Sequence, residues 1–331
     1  MKRVAINGMG RTGRVMLRRW LSGEAADVDI VAVNDIIAVE NLAYLLRYDS
    51  VHGRLPWPVS VAGDTLQIGD RSIRCFSSKD PSQLPWGELG IDVVIECSGQ
   101  FTRREQAAQH IAAGATRVLI GAPSEDADVT VVLGVNHQDY DPASHYVISN
   151  ASCTTNSLVP ALMVLRDNFG LESVTMTTVH AYTASQAVVD RAAAKMGRGR
   201  AAGVSMIPTT TGADKAAGQV MPELKGKISA LAIRVPVPDG SLTDISALVS
   251  ASPSAAEVNA AFRAAAEGGL SGILGYSEED LVSVDILGEP YSGLVHARAT
   301  RVTGRLVKVY VWYDNETGYA CRCLDVVGSL L

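Results

Sequence analysis

The sequence predicts an α/β fold in two parts, an N-terminal doubly wound parallel sheet and a C-terminal α+β domain with a largely antiparallel or mixed sheet. The first reason is length, because 331 residues are more than one hydrophobic core usually holds. The second is that short β-branched runs alternate with helical stretches in the first half, which is typical of a parallel sheet covered on both faces. The third is that longer strand-like runs fill the second half.

The elements of the first half alternate from the start of the chain. The sequence predicts a strand at "RVAING", a helix at "RTGRVMLRRWL" and a second strand at "DIVAVND". It then predicts a helix at "ENLAYLLRYDS", a hairpin at "DTLQIGDRSIRCF", a strand at "DVVIECSG", a helix at "RREQAAQHIAAG" and strands at "RVLIGAP", "TVVLGVN" and "YVISNAS".

The second half carries longer strands, which the sequence places at "SVTMTTVHAYT", "KISALAIRVPVPDG", "LTDISALVSA" and "LVKVYVWYDN". One amphipathic helix, "AAEVNAAFRAAAEGG", lies between them. This pattern predicts a mixed or antiparallel sheet with helices on one side.

Composition and charge exclude several classes of function. Apolar residues make up 47% of the chain, charged residues 19%, and the net charge is −6, so no bulk attraction to nucleic acid is expected. No apolar run reaches membrane-spanning length, and "MKRVAING" leads into a strand pattern without a signal peptide. We therefore expect a cytoplasmic protein with no nucleic-acid or membrane partner. The stretch "GRGR" at 197–200 could still bind a small anion.

The five cysteines are scattered and odd in number, which favours a reducing compartment over a disulfide framework. Cys321 and Cys323 form a C-x-C pair, but no second ligand pair stands at metal-site spacing. They are more simply two positions of a C-terminal helix, and no metal site is expected. Cys153 differs because it lies among hydroxyls and amides in "SNASCTTNSL".

A glycine-rich motif, "INGMGRTGR", follows the first predicted strand and opens the first predicted helix. Gly8 allows the tight turn, Gly10 lets a pyrophosphate approach, and Gly13 permits close helix–strand packing, as in a Rossmann-type dinucleotide site. The helix N-terminus adds free N–H groups for the phosphates. Asp35 ends the second strand, about 20 residues on, where an acid can bind ribose hydroxyls. It could also be a helix N-cap, and both roles can coexist.

Cys153 is predicted to lie in the first turn of a helix. Ser152 is a good N-cap, and the following "TTNSLVPALMVLRDNFG" is typical of a helix that Gly170 ends and Pro160 kinks. The helix dipole there favours the thiolate, and the backbone N–H groups of Cys153 and Thr154 face any oxyanion beside the sulfur. A cysteine in such a place can also be inert.

A base for this thiol is available in "TMTTVHAYT", where His180 lies near the end of a strand. A lone histidine there is more often a structural residue. A nicotinamide site beside a cysteine–histidine pair nevertheless indicates aldehyde oxidation through a hemithioacetal, with the histidine as base. Phosphate or water would then cleave the thioester. An imidazolium partner would also lower the pKa of the thiol.

Several stretches together resemble the phosphorylating glyceraldehyde-3-phosphate dehydrogenases over nearly the full length. They are, in order, "INGMGRTGR", "LLRYDSVHG", "SNASCTTN", "TVHAYT", "IPTTTGA", "ELKGKI", "RVP", "GILGY", "LVSVD" and "WYDNETGY". The resemblance implies NAD as cofactor, with NADP possible, a homotetramer, and a small phosphorylated aldehyde and inorganic phosphate as substrates. It implies a dinucleotide-binding domain of residues 1–152 with 317–331, and a catalytic domain of residues 153–316.

The resemblance also implies roles for individual residues. Cys153 would be the nucleophile and His180 the base. Thr183 and Arg234 would bind the substrate phosphate, and the attacking inorganic phosphate would be held by Ser152, Thr154, Thr211 and Gly212. The cofactor would contact Gly8, Gly10, Arg11, Thr12, Gly13, Asp35, Ser98, Asn315 and Tyr319. From the residues alone, "IPTTTGA" would be a polar turn.

Some positions depart from the pattern of that family. Ser157 replaces a second cysteine, which removes an oxidisable thiol and should leave the chemistry intact. Thr317 takes a position that is usually aromatic. "RVPVPDGSLTD" differs from the usual "RVPTPNVSVVD" at Val237, Asp239 and Gly240, which leaves the substrate or anion preference open.

The choice between NAD and NADP rests on two conflicting signals. Asp35 would accept hydrogen bonds from ribose hydroxyls and repel a 2′-phosphate. Arg191 and Ala192 follow "VVD", where NAD-specific relatives tend to have Leu-Pro and NADP-accepting ones Ala-Ser, and match neither. The strand end fixes Asp35, so we expect NAD to be preferred.

Other functions stay open at this point. The related erythrose-4-phosphate dehydrogenases hydrolyse their thioester, but they usually lack "HAYT" and the triple-threonine loop, which are both present here. A specialised paralogue could use another acceptor such as arsenate. A dinucleotide-sensing regulator would be expected to have lost Cys153, His180 or Arg234, and all three are retained.

Overall fold

The computed structural model describes all residues, Met1–Leu331. The chain forms two compact units. The N-terminal unit comprises Met1–Val131, His137–Ala151 and Ala320–Leu331, and the C-terminal unit comprises Val132–Asn136 and Ser152–Tyr319. None of the helices combines the length and apolar character needed to cross a membrane.

The N-terminal unit is built on a nine-stranded sheet with the strand order β10-β11-β9-β8-β1-β2-β7-β6-β5. The pairs from β10 to β7 are parallel, and β5–β6–β7 is the antiparallel edge that the hairpin prediction covers. The strands are Lys2–Asn7 (β1), Val28–Asn34 (β2), Tyr48–Asp49 (β3), Gly53–Arg54 (β4), Val59–Ala62 (β5), Thr65–Ile68 (β6), Arg71–Phe76 (β7), Val93–Glu96 (β8), Arg117–Ile120 (β9), Val129–Thr130 (β10) and Val147–Ser149 (β11). The helices are Arg11–Leu21 (α1), Val39–Arg47 (α2), Arg104–Ala107 (α3) and Gln109–Ala112 (α4).

This strand order is that of a doubly wound, Rossmann-type sheet. From β1 the chain moves outward through β2 to β7, and it then returns to place β8 on the other side of β1. The strand order therefore reverses between β1 and β8, and ligands of such sheets bind at the carboxyl ends of the strands at that point. The loops that leave β1 and β8 carry Gly8 and Ser98.

Two predicted elements of this half are shorter or more broken than expected. The strand expected at "TVVLGVN" is limited to Val129–Thr130, because the side chain of Asn136 accepts the N–H of Val132 and Gly134 turns the chain at φ +83°. The helix expected at "RREQAAQHIAAG" consists of two single turns, α3 and α4.

The C-terminal unit contains an eight-stranded mixed sheet in the order β13-β14-β12-β15-β19-β17-β16, with β18 paired to β19. The strands are Leu171–Ala181 (β12), Ile207–Thr210 (β13), Ile228–Val235 (β14), Ser241–Val249 (β15), Leu274–Ser277 (β16), Gly293–His296 (β17), Arg301–Thr303 (β18) and Leu306–Tyr313 (β19). The helices are Cys153–Phe169 (α5), Ala213–Val220 (α6) and Ala255–Glu267 (α7), and Thr317–Ser329 (α8) continues into the N-terminal unit. The fold class predicted from the sequence is confirmed.

Helix α5 is the buried helix of the C-terminal unit, and its ends are those that the sequence predicts. The Ser152 hydroxyl accepts the N–H of Thr155 at 3.1 Å as the N-cap, and Gly170 ends the helix in the left-handed conformation at φ +69°. Pro160 is accommodated inside a helix that continues to Phe169. These caps fix the position of the first turn and therefore of Cys153.

Candidate active site

The glycine-rich loop of the N-terminal unit has the geometry that its motif predicts. Gly8 has φ +96°, and a Cβ there would lie 2.4 Å from the backbone nitrogen of Ser98. A Cβ on Gly13 would lie 2.2 Å from the carbonyl oxygen of Gly8. No atom comes within 4 Å of a Cβ built on Gly10, so open space remains in front of α1. The loop packs tightly on its protein side and leaves room for a ligand on the other.

The N-terminus of α1 is suited to bind phosphate. Its N-cap, Gly10, has no side chain to cap the helix, and the first turn contains no acidic residue. The first N–H groups of the helix can therefore donate to an anion. Arg11 forms a salt bridge with Asp49 at 2.5 Å, and Thr12 is half-buried beside it in the sequence.

Asp35 lies at the wall of a cavity of about 490 Å³, which the loop after β2 and the end of β7 enclose. One carboxylate oxygen of Asp35 accepts the N–H of Met9 at 2.6 Å, and the other accepts the N–H of Ile37 at 3.1 Å. The N-cap of α2 is Ala38, so Asp35 is not the cap of that helix. A fixed carboxylate, a cavity and a free helix N-terminus together fit a dinucleotide such as NAD.

A buried polar network supports the loop that carries Ser98. The Glu96 carboxylate accepts the N–H of Ser98 at 2.7 Å and its hydroxyl at 2.5 Å, and it also accepts the side-chain amide of Asn7. On the other side, Nε2 of His110 lies 3.1 Å from Glu96, and Trp86 donates to Nδ1 of the same ring. Because Nδ1 accepts, Nε2 carries the proton that Glu96 receives as a hydrogen bond. The network therefore holds Ser98 beside Gly8.

In the C-terminal unit, the structure brings Cys153 and His180 together. Cys153 is the first residue of α5, and His180 is the penultimate residue of β12. Their Sγ and Nε2 atoms are 3.6 Å apart. The thiol is half-buried, and the histidine is only 4% exposed.

Burial favours the neutral forms of both groups. It raises the pKa of the Cys153 thiol, against the opposing effects of Arg234 and Thr154. Burial, followed by the charge of Arg234, lowers the pKa of His180 to about 3. The thiolate–imidazolium pair expected from the sequence is therefore not the form that this environment favours. In the neutral tautomer whose Nδ1–H donates to the carbonyl oxygen of Ala181 at 2.7 Å, Nε2 faces the thiol without a proton and can accept one.

Arg234 lies directly beside this pair, because β12 and β14 align it with His180. Its Nη1 is 2.7 Å from Nδ1 of His180 and 3.1 Å from the carbonyl oxygen of Ala181. The charge of Arg198 also lowers the pKa of both Arg234 and His180, although burial is the largest cause for each. Arg198 belongs to the "GRGR" stretch. This stretch therefore supplies a second cation, in addition to Arg234, at the site.

The remaining residues predicted for the two phosphates lie in turns of the same unit. The Thr183 hydroxyl hydrogen-bonds that of Ser185 at 2.9 Å, two residues after β12. Thr211 and Gly212 form the N-terminus of α6, where the Thr211 hydroxyl accepts the N–H of Ala213 at 3.3 Å. Ser152 uses its oxygen to cap α5. None of these side chains hydrogen-bonds to another of the set. Their roles in binding phosphate stay predictions.

Asn315 and Tyr319, predicted for the cofactor, lie around the start of α8. The side-chain oxygen of Asn315 accepts the Ser241 hydroxyl at 2.5 Å, and Ser241 in turn accepts the N–H of Ala181 at 3.1 Å. Asn315 is thus connected to the strand that carries His180. Tyr319 is 6% exposed.

The sequence did not point to Tyr313, although it lies within the site. Its hydroxyl bonds those of Thr154 at 3.0 Å and Thr178 at 2.7 Å, and its ring packs edge-on against His180 at 5.9 Å. Burial raises the pKa of this phenol, so it stays protonated. Tyr313 therefore positions Thr154 and His180, the two residues that lie beside Cys153. No local pattern indicates this role, because Tyr313 and Thr154 are 159 residues apart.

Comparisons with known proteins agree with this geometry. Residues 2–104 match the family described as glyceraldehyde 3-phosphate dehydrogenase, NAD binding domain, and residues 152–315 match its C-terminal domain. The chain is 50% identical over 329 residues to glyceraldehyde-3-phosphate dehydrogenase of Geobacillus stearothermophilus, covering 99% of this chain and 98% of that one. It is 49% identical to glyceraldehyde-3-phosphate dehydrogenase 1 of Bacillus subtilis (strain 168), covering 99% and 98%. The cofactor of this oxidoreductase fold is NAD, and the chain belongs to the glyceraldehyde 3-phosphate dehydrogenase family.

Proposed function

We propose that this chain oxidises glyceraldehyde 3-phosphate and transfers the acyl group to inorganic phosphate, giving 1,3-bisphosphoglycerate. The observation that carries the proposal is the first turn of α5, where the Sγ of Cys153 lies 3.6 Å from Nε2 of His180 and beside Arg234. The names of the relatives support the same substrate. An assay of cofactor reduction with and without phosphate tests it.

The first step is attack of the Cys153 sulfur on the aldehyde carbon. His180 takes the thiol proton at Nε2 and passes it to the carbonyl oxygen as the sulfur–carbon bond forms, which leaves Nε2 free again. The backbone N–H groups at the start of α5 are available to that oxygen. The product is a hemithioacetal on Cys153.

His180 then removes the hydroxyl proton of the hemithioacetal while the carbon loses a hydride, which leaves a thioester on Cys153. NAD, when bound, supplies the hydride acceptor for this oxidation. Burial and Arg234 lower the pKa of His180 to about 3, so at neutral pH the ring is uncharged and its Nε2 can accept the proton, although the same shift makes it a weak base.

Inorganic phosphate then attacks the thioester carbon, and the sulfur leaves as the acyl phosphate forms. Two phosphate groups need cationic and hydroxyl partners, and arginine supplies several donors to each. Burial lowers the pKa of Arg234 and the charge of Arg198 lowers it further, and Arg198 also donates to the hydroxyl of Thr209 at 3.0 Å. We infer that Thr183 and Arg234 hold the substrate phosphate, and that Ser152, Thr154, Thr211 and Gly212 hold the attacking one.

Dependence on inorganic phosphate is the first expected result. Cofactor reduction with glyceraldehyde 3-phosphate should continue past one turnover per site only when phosphate is present, because the thioester has no other good acceptor. Arsenate should replace phosphate, since it is a close analogue. Equal turnover in phosphate-free buffer would favour a hydrolytic enzyme acting like an erythrose-4-phosphate dehydrogenase, and erythrose 4-phosphate should be assayed in parallel.

NAD is the expected preferred cofactor, and Asp35→Ala should raise kcat/KM with NADP by about tenfold or more. A carboxylate at roughly 4 Å from a unit charge contributes up to about 4 kcal/mol at an effective dielectric of 20, and solvent reduces this at the cavity mouth. Both carboxylate oxygens of Asp35 are already fixed by backbone donors, so it cannot easily turn away.

Arg191→Ala is the companion variant to Asp35→Ala, because it tests the residue that would favour NADP. Arg191 is exposed, and its backbone is fixed by a hydrogen bond to Gly199 at 2.9 Å. Its removal should lower any NADP activity and spare NAD activity. A wild-type kcat/KM higher with NADP than with NAD would show that Arg191, and not Asp35, dominates the choice.

We also infer a homotetramer. The segment between β12 and β13 exposes large apolar side chains, including Val188 at 90%, Met196 at 87% and Val204 at 83%. Such a set on one segment is typical of a protein–protein interface. Light scattering after size-exclusion chromatography would give the mass of the assembly.

A further inference from the structure

A chain of buried hydrogen bonds runs along the carboxyl ends of three neighbouring strands in the N-terminal unit. The strands β2, β1 and β8 end at Asn34, Asn7 and Glu96, and the sheet register pairs Asn7 with both of the others. All three side chains are buried, and Glu96 is 2% exposed. A carboxylate at that depth is stable only if hydrogen bonds replace the water that it has lost. The donors around Glu96 therefore decide whether this end of the sheet keeps its shape.

The first arm of the chain runs from Ser78 through the two asparagines to Glu96. The backbone N–H of Ser78 donates to Oδ1 of Asn34 at 2.9 Å, which fixes the orientation of that amide. The amide nitrogen of Asn34 therefore donates to Oδ1 of Asn7 at 2.7 Å and to the carbonyl oxygen of Ser78 at 2.9 Å. The amide nitrogen of Asn7 is then left facing Glu96, and it donates to Oε2. This arm supplies one donor to the carboxylate.

The second arm runs from Trp86 through His110, and both side chains are fully buried. An indole N–H can only donate, so Nδ1 of His110, 3.0 Å away, carries no proton. The ring is therefore neutral, with its proton on Nε2, which lies 3.1 Å from Oε2 of Glu96. Trp86 thereby selects the tautomer of His110 that donates to Glu96.

The other oxygen of Glu96 holds the loop that follows β8. Oε1 accepts the N–H of Ser98 at 2.7 Å and its hydroxyl at 2.5 Å, and the Ser98 oxygen accepts the N–H of Gln100 at 3.1 Å. Glu96 thus receives four donors, which together favour its ionised form. The hydrogen of the Ser98 hydroxyl is used inside the loop, so it fixes the loop and does not donate to NAD.

We propose that His110 is a positioning residue for the NAD site: it completes the set of donors around Glu96, and Glu96 holds the loop of residues 98–100 in the shape that receives NAD. The loop lies where the strand order reverses between β1 and β8, and its Ser98 nitrogen would be 2.4 Å from a Cβ on Gly8. Because His110 is fully buried, it acts on NAD only through Glu96. The inference needs NAD as the cofactor, and it does not need the substrate proposed above.

Titration calorimetry of NAD binding tests the proposal without turnover. His110→Phe keeps a ring that can pack edge-on against Phe101, as His110 does at 6.4 Å, but it removes both hydrogen bonds. The dissociation constant of NAD should rise about ten- to hundredfold, because a buried charged acceptor loses a donor and less of the protein holds the loop in its binding shape. A dissociation constant within about threefold of the wild-type value would overturn the proposal.

Two further variants separate the hydrogen bond from packing and from general effects. His110→Gln keeps an amide that can donate to Glu96, and its NAD affinity should stay within about threefold of wild type. His296→Gln is the matched control, because Nδ1 of His296 likewise accepts an indole N–H, that of Trp312 at 2.9 Å, in the C-terminal unit. It should leave NAD affinity unchanged. Equal losses in His110→Gln and His110→Phe, or an equal loss in His296→Gln, would exclude the role of His110 as a donor.

Kinetics give a second readout, in which a disturbed loop and a loss of folded protein differ. In His110→Phe the KM for NAD should rise by the same factor as the dissociation constant, whereas kcat at saturating NAD should stay within about threefold of wild type. Cys153 and His180 belong to the other unit and are unchanged. A lower kcat with an unchanged KM for NAD is what partly unfolded enzyme gives, and it would contradict the proposal. If the aldehyde is not oxidised at all, the proposed function fails and calorimetry still decides the role of His110.

Amide hydrogen exchange of the wild type, followed by mass spectrometry, holds even if the variants fold poorly. Without NAD, the peptide that contains Ser98 and Gln100 should be protected, because both N–H groups are already bonded inside the loop. In His110→Phe this peptide should exchange faster, and the strands of the C-terminal sheet should not. Exchange at the rate of an unstructured chain in NAD-free wild type would overturn the proposal, and so would an unchanged rate in folded His110→Phe.

Discussion

Cys153→Ser should abolish aldehyde oxidation, to below about one part in a thousand of the wild-type kcat. A hydroxyl in place of the thiol is a far weaker nucleophile at neutral pH, because so little of it is ionised. Helix α5, with its Ser152 cap, and His180 beside its first turn would remain, so the loss would report on the sulfur itself. Stopped-flow measurement of cofactor reduction, with the enzyme in excess, measures the chemical step directly.

Two controls separate this loss from a loss of structure. Cys153→Ser should bind NAD as tightly as wild type, which titration calorimetry can measure, because the glycine-rich loop and Asp35 are untouched. Cys321→Ser replaces a buried cysteine of α8, whose pKa burial raises, and should keep its activity. If Cys153→Ser retained more than a small fraction of the single-turnover rate, a covalent mechanism on Cys153 would be excluded.

The parts of the fold that the sequence predicts well are those decided by neighbours along the chain. Ser152 and Gly170 cap α5 because a hydroxyl and a residue without Cβ suit the two ends of a helix, whatever packs around it. Gly8 and Gly13 could likewise be assigned to one glycine-rich motif from their spacing along the chain. The sequence alone could therefore place Cys153 in the first turn of a helix. It could also predict that Cys153 is a nucleophile, before any contact was known.

The parts that the sequence leaves open depend on residues far apart in the chain. Tyr313 meets Thr178 because β19 and β12 lie in one sheet, each beside β15, and it meets Thr154 because α5 packs on that sheet. Carboxylate oxygens of Asp239 and Asp314 come within 4.8 Å of each other for a similar reason, since Ser241 and Tyr313 are paired in neighbouring strands. Protonation follows from burial, which is also non-local. The sequence therefore suggested an imidazolium at His180, whereas the folded environment favours a neutral ring.

His180→Asn should lower the rate of oxidation by about 10²–10⁴, the usual contribution of a general base. Asparagine can occupy the space beside Sγ and hydrogen-bond there, but it cannot take a proton from the thiol or from the hemithioacetal. Since the pKa of His180 is lowered to about 3, its neutral form is constant above about pH 5, and wild-type kcat/KM should show no acid limb from this residue between pH 5 and 8. Pre-steady-state rates with saturating cofactor, measured across that range, check both expectations.

The same substitution should shift the alkylation profile of Cys153 to lower pH. A neutral Nε2 that accepts the thiol proton stabilises the thiol over the thiolate, whereas the amide group of asparagine can donate to the thiolate. His145→Asn is the matched control, because its Nδ1 accepts the N–H of Asp141 in the other unit, and it should change neither rate nor profile. An unchanged alkylation profile in His180→Asn would remove His180 from the pair. An acid limb near pH 6 to 7 in wild type that is lost in His180→Asn would show instead that His180 titrates near its ordinary pKa, and that Arg234 and burial do not keep the ring neutral.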